Sequence, residues 1–141
     1  MTTSPERDSA DDAFVTSFPA RPDALVRARR SFTAWLGRRT GSEVVDELEI
    51  VFSELGANAV DASPEETDEV LGRAWCDGSD LVLDLVNHTS PTGAEVPRWD
   101  LGDPLRPGGR GLVITEALVD SMEITLEPGQ RVLVRCRRRL E

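Results

Sequence analysis

Glu54-Leu55-Gly56-Ala57-Asn58-Ala59 sits near the end of a run in which Val45, Leu48, Val51, Phe52, Leu55, Ala59 and Ala62 recur at helical spacing. The period predicts a helix ending at about Ala62 with that stripe buried. Thr40 and Glu43 carry a capping-box pattern at its start, and Ser63-Pro64 stops it. Glu54 and Asn58 are four apart, so they share one side of the helix. Glu47, Glu54, Asn58 and Asp61 together line one edge, beside the apolar stripe. A carboxylate on such an edge can take a proton from a hydroxyl or orient a water. An amide oxygen one turn further on can ligate a hard divalent cation. The same pattern also suits a merely solvated helix edge.

Outward from this helix the chain alternates between the two periods. Phe14 to Phe18 reads as a short first strand closed by Pro19. Pro22 opens a helix, being favoured in a first turn; its apolar positions Leu25, Ala28, Phe32, Trp35 and Leu36 carry it to about Arg39. Val70–Cys76 and Leu81–Val86 read as strands joined by the hairpin-type turn Asp77-Gly78-Ser79-Asp80. Residues 88–109 hold four of the nine prolines and read as an irregular loop long enough to suggest function. Gly111 to about Val119 reads as a third helix. Met122–Leu126 and Arg131–Cys136 form a last hairpin around Pro128-Gly129. The order β, α, α, β, β, loop, α, β, β predicts an α+β fold. It is a two-layer sandwich with about three helices on one face of a mixed, mostly antiparallel sheet. Residues 1–12 are acidic and aperiodic and read as a disordered tail, leaving 13–141 as one domain.

Composition removes several classes of function. With 141 residues and a formal net charge of −10, the chain does not suit a nucleic-acid binder, whose affinity rests on neutralising phosphates. No apolar run reaches the roughly 18 residues of a membrane span, and no signal-peptide pattern opens the chain, so the cytoplasm is the expected compartment. Cys76 and Cys136 are expected to be free thiols, and a single histidine, His88, makes a zinc cluster implausible. All sixteen basic side chains are arginine. A P-loop or a eukaryotic-type kinase site needs a lysine on its phosphates, so a phosphate site here must use backbone amides, arginine or a metal ion. The run Arg135, Arg137, Arg138, Arg139 reads best as a solvated last strand and tail.

Two further stretches carry chemistry. In Pro107-Gly108-Gly109-Arg110-Gly111-Leu112 a loop enters a helix. Glycines there let amides approach an anion that the helix N-terminus favours, and Arg110 can add a charge-assisted contact. An ordinary glycine-rich turn before a helix has the same look. Leu83 to Pro91 runs a hydrophobic strand into Asn87-His88-Thr89-Ser90-Pro91, where a polar side chain can meet a base edge or simply begin a turn.

Taken in order, these three stretches resemble the GHKL (Bergerat-fold) ATPases, and more narrowly the serine-kinase anti-sigma factors of actinobacterial type, over about residues 23–135. Glu54 to Ala59 resembles the N box, which implies Glu54 as general base and Asn58 as magnesium ligand. Gly109-Arg110-Gly111-Leu112 resembles the G2 box, whose amides hold the phosphates of ATP. Asn87 falls where the G1 box has an aspartate for the adenine amino group. The resemblance implies a cytoplasmic, Mg2+- and ATP-dependent protein serine/threonine kinase. It would phosphorylate an anti-anti-sigma (STAS) protein and sequester a sigma factor, and family members often dimerise. The departures are also specific. Asn87 replaces the aspartate, the usual G1 glycine is missing, and Arg131 stands where a threonine often lies near the adenine. Asp61 and Ala62 stand where basic residues or histidine are common. They imply an alternative, a module that binds nucleotide weakly or not at all and acts by sequestration only. A hydrolase built on His88 and Ser90 lacks a nucleophile elbow.

Overall fold

The computed structural model describes residues 12–88 and 109–140, and only the backbone of Gly109, Arg110 and Gly111. The elements are β1 (Phe14–Pro19), α1 (Pro22–Leu36), α2 (Ser42–Ala62), β2 (Glu69–Asp77), β3 (Asp80–His88), α3 (Gly109–Leu118), β4 (Ser121–Glu127) and β5 (Arg131–Arg139). The expected order is borne out. Of the expected tail only Asp12 is described, and the expected 88–109 loop lies outside the described residues apart from its two ends.

The five strands lie in the order β1-β2-β3-β5-β4, and all four pairings are antiparallel. Alternation along each strand divides the sheet into two faces. Phe14, Phe18, Val70, Ala74, Leu81, Leu83, Leu85, Val132, Val134 and Cys136 are buried on one side under the helices. Two left-handed glycines make the hairpins: Gly78 at φ 65° between β2 and β3, and Gly129 at φ 81° between β4 and β5.

Pro22 stands in the first turn of α1, which buries Leu25, Ala28, Phe32, Trp35 and Leu36. The helix stops at Leu36 rather than Arg39. Past it the Arg39 N–H donates to the Leu36 carbonyl at 2.8 Å, an i→i−3 bond that tightens the chain. The Arg39 guanidinium donates to the Trp35 carbonyl at 2.7 Å and lies 4.1 Å from the centre of the Trp35 ring. Trp35 Nε1 in turn donates to the Asp12 carbonyl at 2.9 Å, tying the chain ahead of β1 to the end of α1.

The expected capping box at α2 does not form. Gly41 is the cap residue and no side chain bonds there. The Thr40 hydroxyl is spent elsewhere, donating to the Leu140 carbonyl at 3.2 Å. That bond places the start of α2 at the same end of the molecule as the close of β5.

Phe32 is the centre of the core. Its ring is 4.8 Å from Phe52 of α2, 5.6 Å from Phe14 of β1 and 6.3 Å from Trp35. Both cysteines are free, and burial pushes the Cys136 thiol up to about 12. Two measurements check this packing. Phe32→Ala should lower unfolding free energy by about 3–5 kcal/mol in urea titration, and a loss below 1 kcal/mol would contradict a central role for the ring. Native protein treated with a thiol reagent at pH 8 should leave Cys136 unmodified while denatured protein reacts at both cysteines.

Candidate functional site

Helix α2 has a different neighbour on each flank. At Gly56 it meets α1 so closely that a Cβ there would overlap Leu25 Cδ1. On the same side Arg29 of α1 donates to Ser53 Oγ at 3.2 Å. Asn58 is two residues from Gly56 and so points about 200° away around the helix. That opposite flank is where α3 packs. Glu47 belongs to the same flank, and Arg138 of β5 donates to its carboxylate at 2.6 Å.

The chain direction sets which ends meet. Helix α2 begins beside Leu140. Helix α3 ends beside the same rim, because the Asp120 N–H donates to the Arg137 carbonyl at 2.8 Å and the Asp120 carboxylate accepts from the Arg139 N–H at 2.6 Å. The two helices are therefore antiparallel. The N-terminus of α3, with Gly109, Arg110, Gly111 and Leu112, lies toward the later turns of α2 that carry Glu54 and Asn58. Strand β3 ends at this same rim with Asn87 and His88. The fold thus gathers at one end of the sheet the three stretches that the sequence singles out.

Each residue is prepared differently. Glu54 and Asn58 are half-buried, and Asn58 Nδ2 is buried without a hydrogen-bond partner among the described residues. Asn87 is 1 % exposed on the helix-covered side of the sheet, and its Nδ2 donates to the His88 carbonyl at 2.9 Å. With that end committed, the oxygen is the end of the amide available as an acceptor. Leu112 is wholly buried and anchors the first turn of α3 in the core. Asp61 is exposed at the end of α2.

Three residues turn out otherwise than their sequence position suggests. Arg131 belongs to the opposite face of the sheet from Asn87, where its Nε lies 3.8 Å from the Glu127 carboxylate. It therefore does not intrude on the side that holds Asn87. His88 is exposed at the end of β3, and Ser90 lies outside the described residues. Thr115, which the sequence reading passed over, is wholly buried on the same face of α3 as Leu112, with Oγ1 unpartnered. Its only signal is the i+3 spacing from Leu112.

The C-terminal arginines are a neutralised strand. Arg135 forks onto Asp84 at 2.7 and 2.8 Å, a bond that raises its pKa further. Arg137 pairs with Asp77 at 2.7 Å and Asp80 at 3.3 Å. Among the described residues no cluster of His, Cys, Asp and Glu suffices to hold a metal ion by itself. A magnesium ion fits this site only with an oxygen-rich ligand beside it. Asn58 suits that arrangement, since its amide oxygen is a hard ligand and Mg2+ commonly takes few protein ligands.

The chain is thus a sheet backed by helices, with a polar helix edge and a glycine-opened helix N-terminus toward one end of the sheet. The family model for the histidine kinase-like ATPase domain matches residues 18–136, and the chain belongs to this family. No curated protein matches the chain. Among solved structures, the RsbU and RsbW domains of Rv1364c from Mycobacterium tuberculosis superpose with a TM-score of 0.64 at 16% identity. The match covers 91% of this chain and 32% of that one, so the chain spans about a third of that protein's length. No helix among the described residues is long and apolar enough to cross a membrane.

The two kinds of position on α2 should separate in stability measurements on ligand-free protein. Leu55→Ala should cost about 2–5 kcal/mol. Asn58→Ala, which removes a buried donor that has no partner, should cost less than about 1 kcal/mol. Equal losses would show that Asn58 serves the core rather than a ligand.

Proposed function

We propose that this chain is an ATP-binding regulatory serine/threonine protein kinase of the anti-sigma-factor type. The observation that carries the reading is the meeting, at one rim of the sheet, of Glu54 and Asn58 with Asn87 and the N-terminus of α3. Each has a job in phosphoryl transfer, where positioning and electrostatics do most of the work. The Asn87 oxygen accepts from the amino group of adenine. The amides of Gly109, Gly111 and Leu112 point along the helix dipole toward the phosphates, with Arg110 as a further donor. Asn58 offers its oxygen to magnesium, which when bound offsets the charge of the phosphate oxygens. Glu54, one turn before Asn58, takes the proton of the partner's serine or threonine hydroxyl.

The partners in this reading are an anti-anti-sigma (STAS-domain) protein as the phosphorylated substrate and a sigma factor as the sequestered client, in the cytoplasm, with the kinase acting as a homodimer. The likeness of the three motifs to the anti-sigma kinases supports it, as does the similarity of the fold to a protein with RsbU and RsbW domains. The second reading, sequestration without nucleotide, draws on the replacement of the G1 aspartate by Asn87. The geometry of Asn87 weighs against it, because its Nδ2 is held by the His88 carbonyl and its Oδ1 keeps the acceptor character of the aspartate.

Calorimetric titration with ATP and ADP, with and without magnesium, is the direct test. Magnesium-dependent binding in the micromolar to low-millimolar range is expected, and no heat at several millimolar would leave the sequestering module as the better account. Glu54→Ala should bind ATP as the parent does and transfer no phosphate to a STAS substrate. Undiminished transfer by that variant would remove Glu54 from the role of base.

A further inference from the structure

Among the described residues, two buried polar atoms on the contacting helices α2 and α3 have no hydrogen-bond partner: Asn58 Nδ2 and Thr115 Oγ1. Thr115 lies on the buried face of α3, and α2 is the helix that α3 packs against. Asn58 lies on the flank of α2 turned away from α1 and toward α3, as the Gly56 contact with Leu25 requires. An unpaired buried polar group is costly, on the order of 1–3 kcal/mol, and two in one seam are rarely tolerated without a shared solution. They are also complementary. Nδ2 can only donate, and a hydroxyl oxygen can accept. A buried water satisfies such a pair by taking the proton of one and giving its own to the other.

We infer that an ordered water in the α2–α3 seam joins Asn58 Nδ2 to Thr115 Oγ1, which makes Thr115 a positioning residue for the Asn58 amide. The consequence for ligand binding rests on the nucleotide reading above. An asparagine amide is nearly symmetric in shape, and its two ends have opposite electrostatic character. With Nδ2 held by the water, Oδ1 is the end that meets a cation. With the water gone, the amide can turn its N–H groups toward the cation and oppose it. Partners that orient a metal ligand in this way commonly change metal affinity by about 10-fold or more when removed.

The test uses full-length protein and Thr115→Val, which keeps the shape of the side chain and removes its hydroxyl. The variant should melt slightly below the parent temperature, since the water between the helices loses one of its two protein partners. Its affinity for ATP should fall about tenfold with magnesium present and stay unchanged in EDTA. Thr115→Ser should restore the magnesium-dependent affinity. A crystal structure of the ligand-free protein should show a water within hydrogen-bond distance of both atoms. A seam without that water, or a Thr115→Val protein that binds Mg-ATP as the parent does, overturns the inference. Parent protein that binds no ATP in either condition sinks the nucleotide reading instead, and the crystallographic water still decides the seam.

Discussion

A Cβ at position 56 would run into Leu25 Cδ1, so α1 and α2 cross this closely around a glycine, and any larger residue there would force the Leu25 side chain aside. That crossing fixes the rotation of α2 about its own axis. Once Gly56 faces α1 and Leu48, Val51, Phe52 and Leu55 face the sheet, the remaining flank must carry Glu47, Glu54 and Asn58. The stacked Phe32 and Phe52 rings brace the same crossing from the core side. The polar edge is thus a geometric consequence of how the apolar residues pack. A rotation of α2 by one residue, about 100°, would bury Asn58 in the core or expose Leu55.

Such an edge is held at a cost in stability. Asn58 and Thr115 each keep a buried polar atom unpaired within the protein. On the open face of the sheet, by contrast, charges are matched across strands: Arg135 with Asp84, Arg137 with Asp77 and Asp80, Arg131 with Glu127. These partly exposed pairs each contribute little.

Much of this was legible in the sequence, and what was not has a physical reason. The buried stripe of α2 and the alternation of β2, β3 and β5 follow from period alone, because each element has one apolar side. Glu54, Asn58, Asn87 and the glycines before Leu112 stood out through residue type and spacing. The capping box at Thr40 misled because the competing acceptor, the Leu140 carbonyl, is brought close only by the completed fold. The last turn of α1 misled because the chain tightens past Leu36 into an i→i−3 bond from the Arg39 N–H, while the Arg39 guanidinium packs back on Trp35. The partners of the C-terminal arginines depend on strand register, which no local pattern specifies. Thr115 was invisible for a similar reason. A threonine on a helix face is unremarkable until the packing shows that its hydroxyl has no partner.

The replacement at Asn87 reads differently in sequence and in space. An aspartate is an acceptor at both oxygens, whichever way it turns. An asparagine is an acceptor at one end only, so the exchange is harmless or damaging according to which end faces the ligand. Here the neighbouring carbonyl of His88 takes the N–H end at 2.9 Å, and burial keeps water from competing for it. The amide is thereby prepared as an acceptor, the one property that an adenine amino group requires. A lost negative charge would weaken such a hydrogen bond by about half, while the orientation is retained. On the proposed nucleotide reading, the exchange weakens the adenine contact in strength rather than in kind.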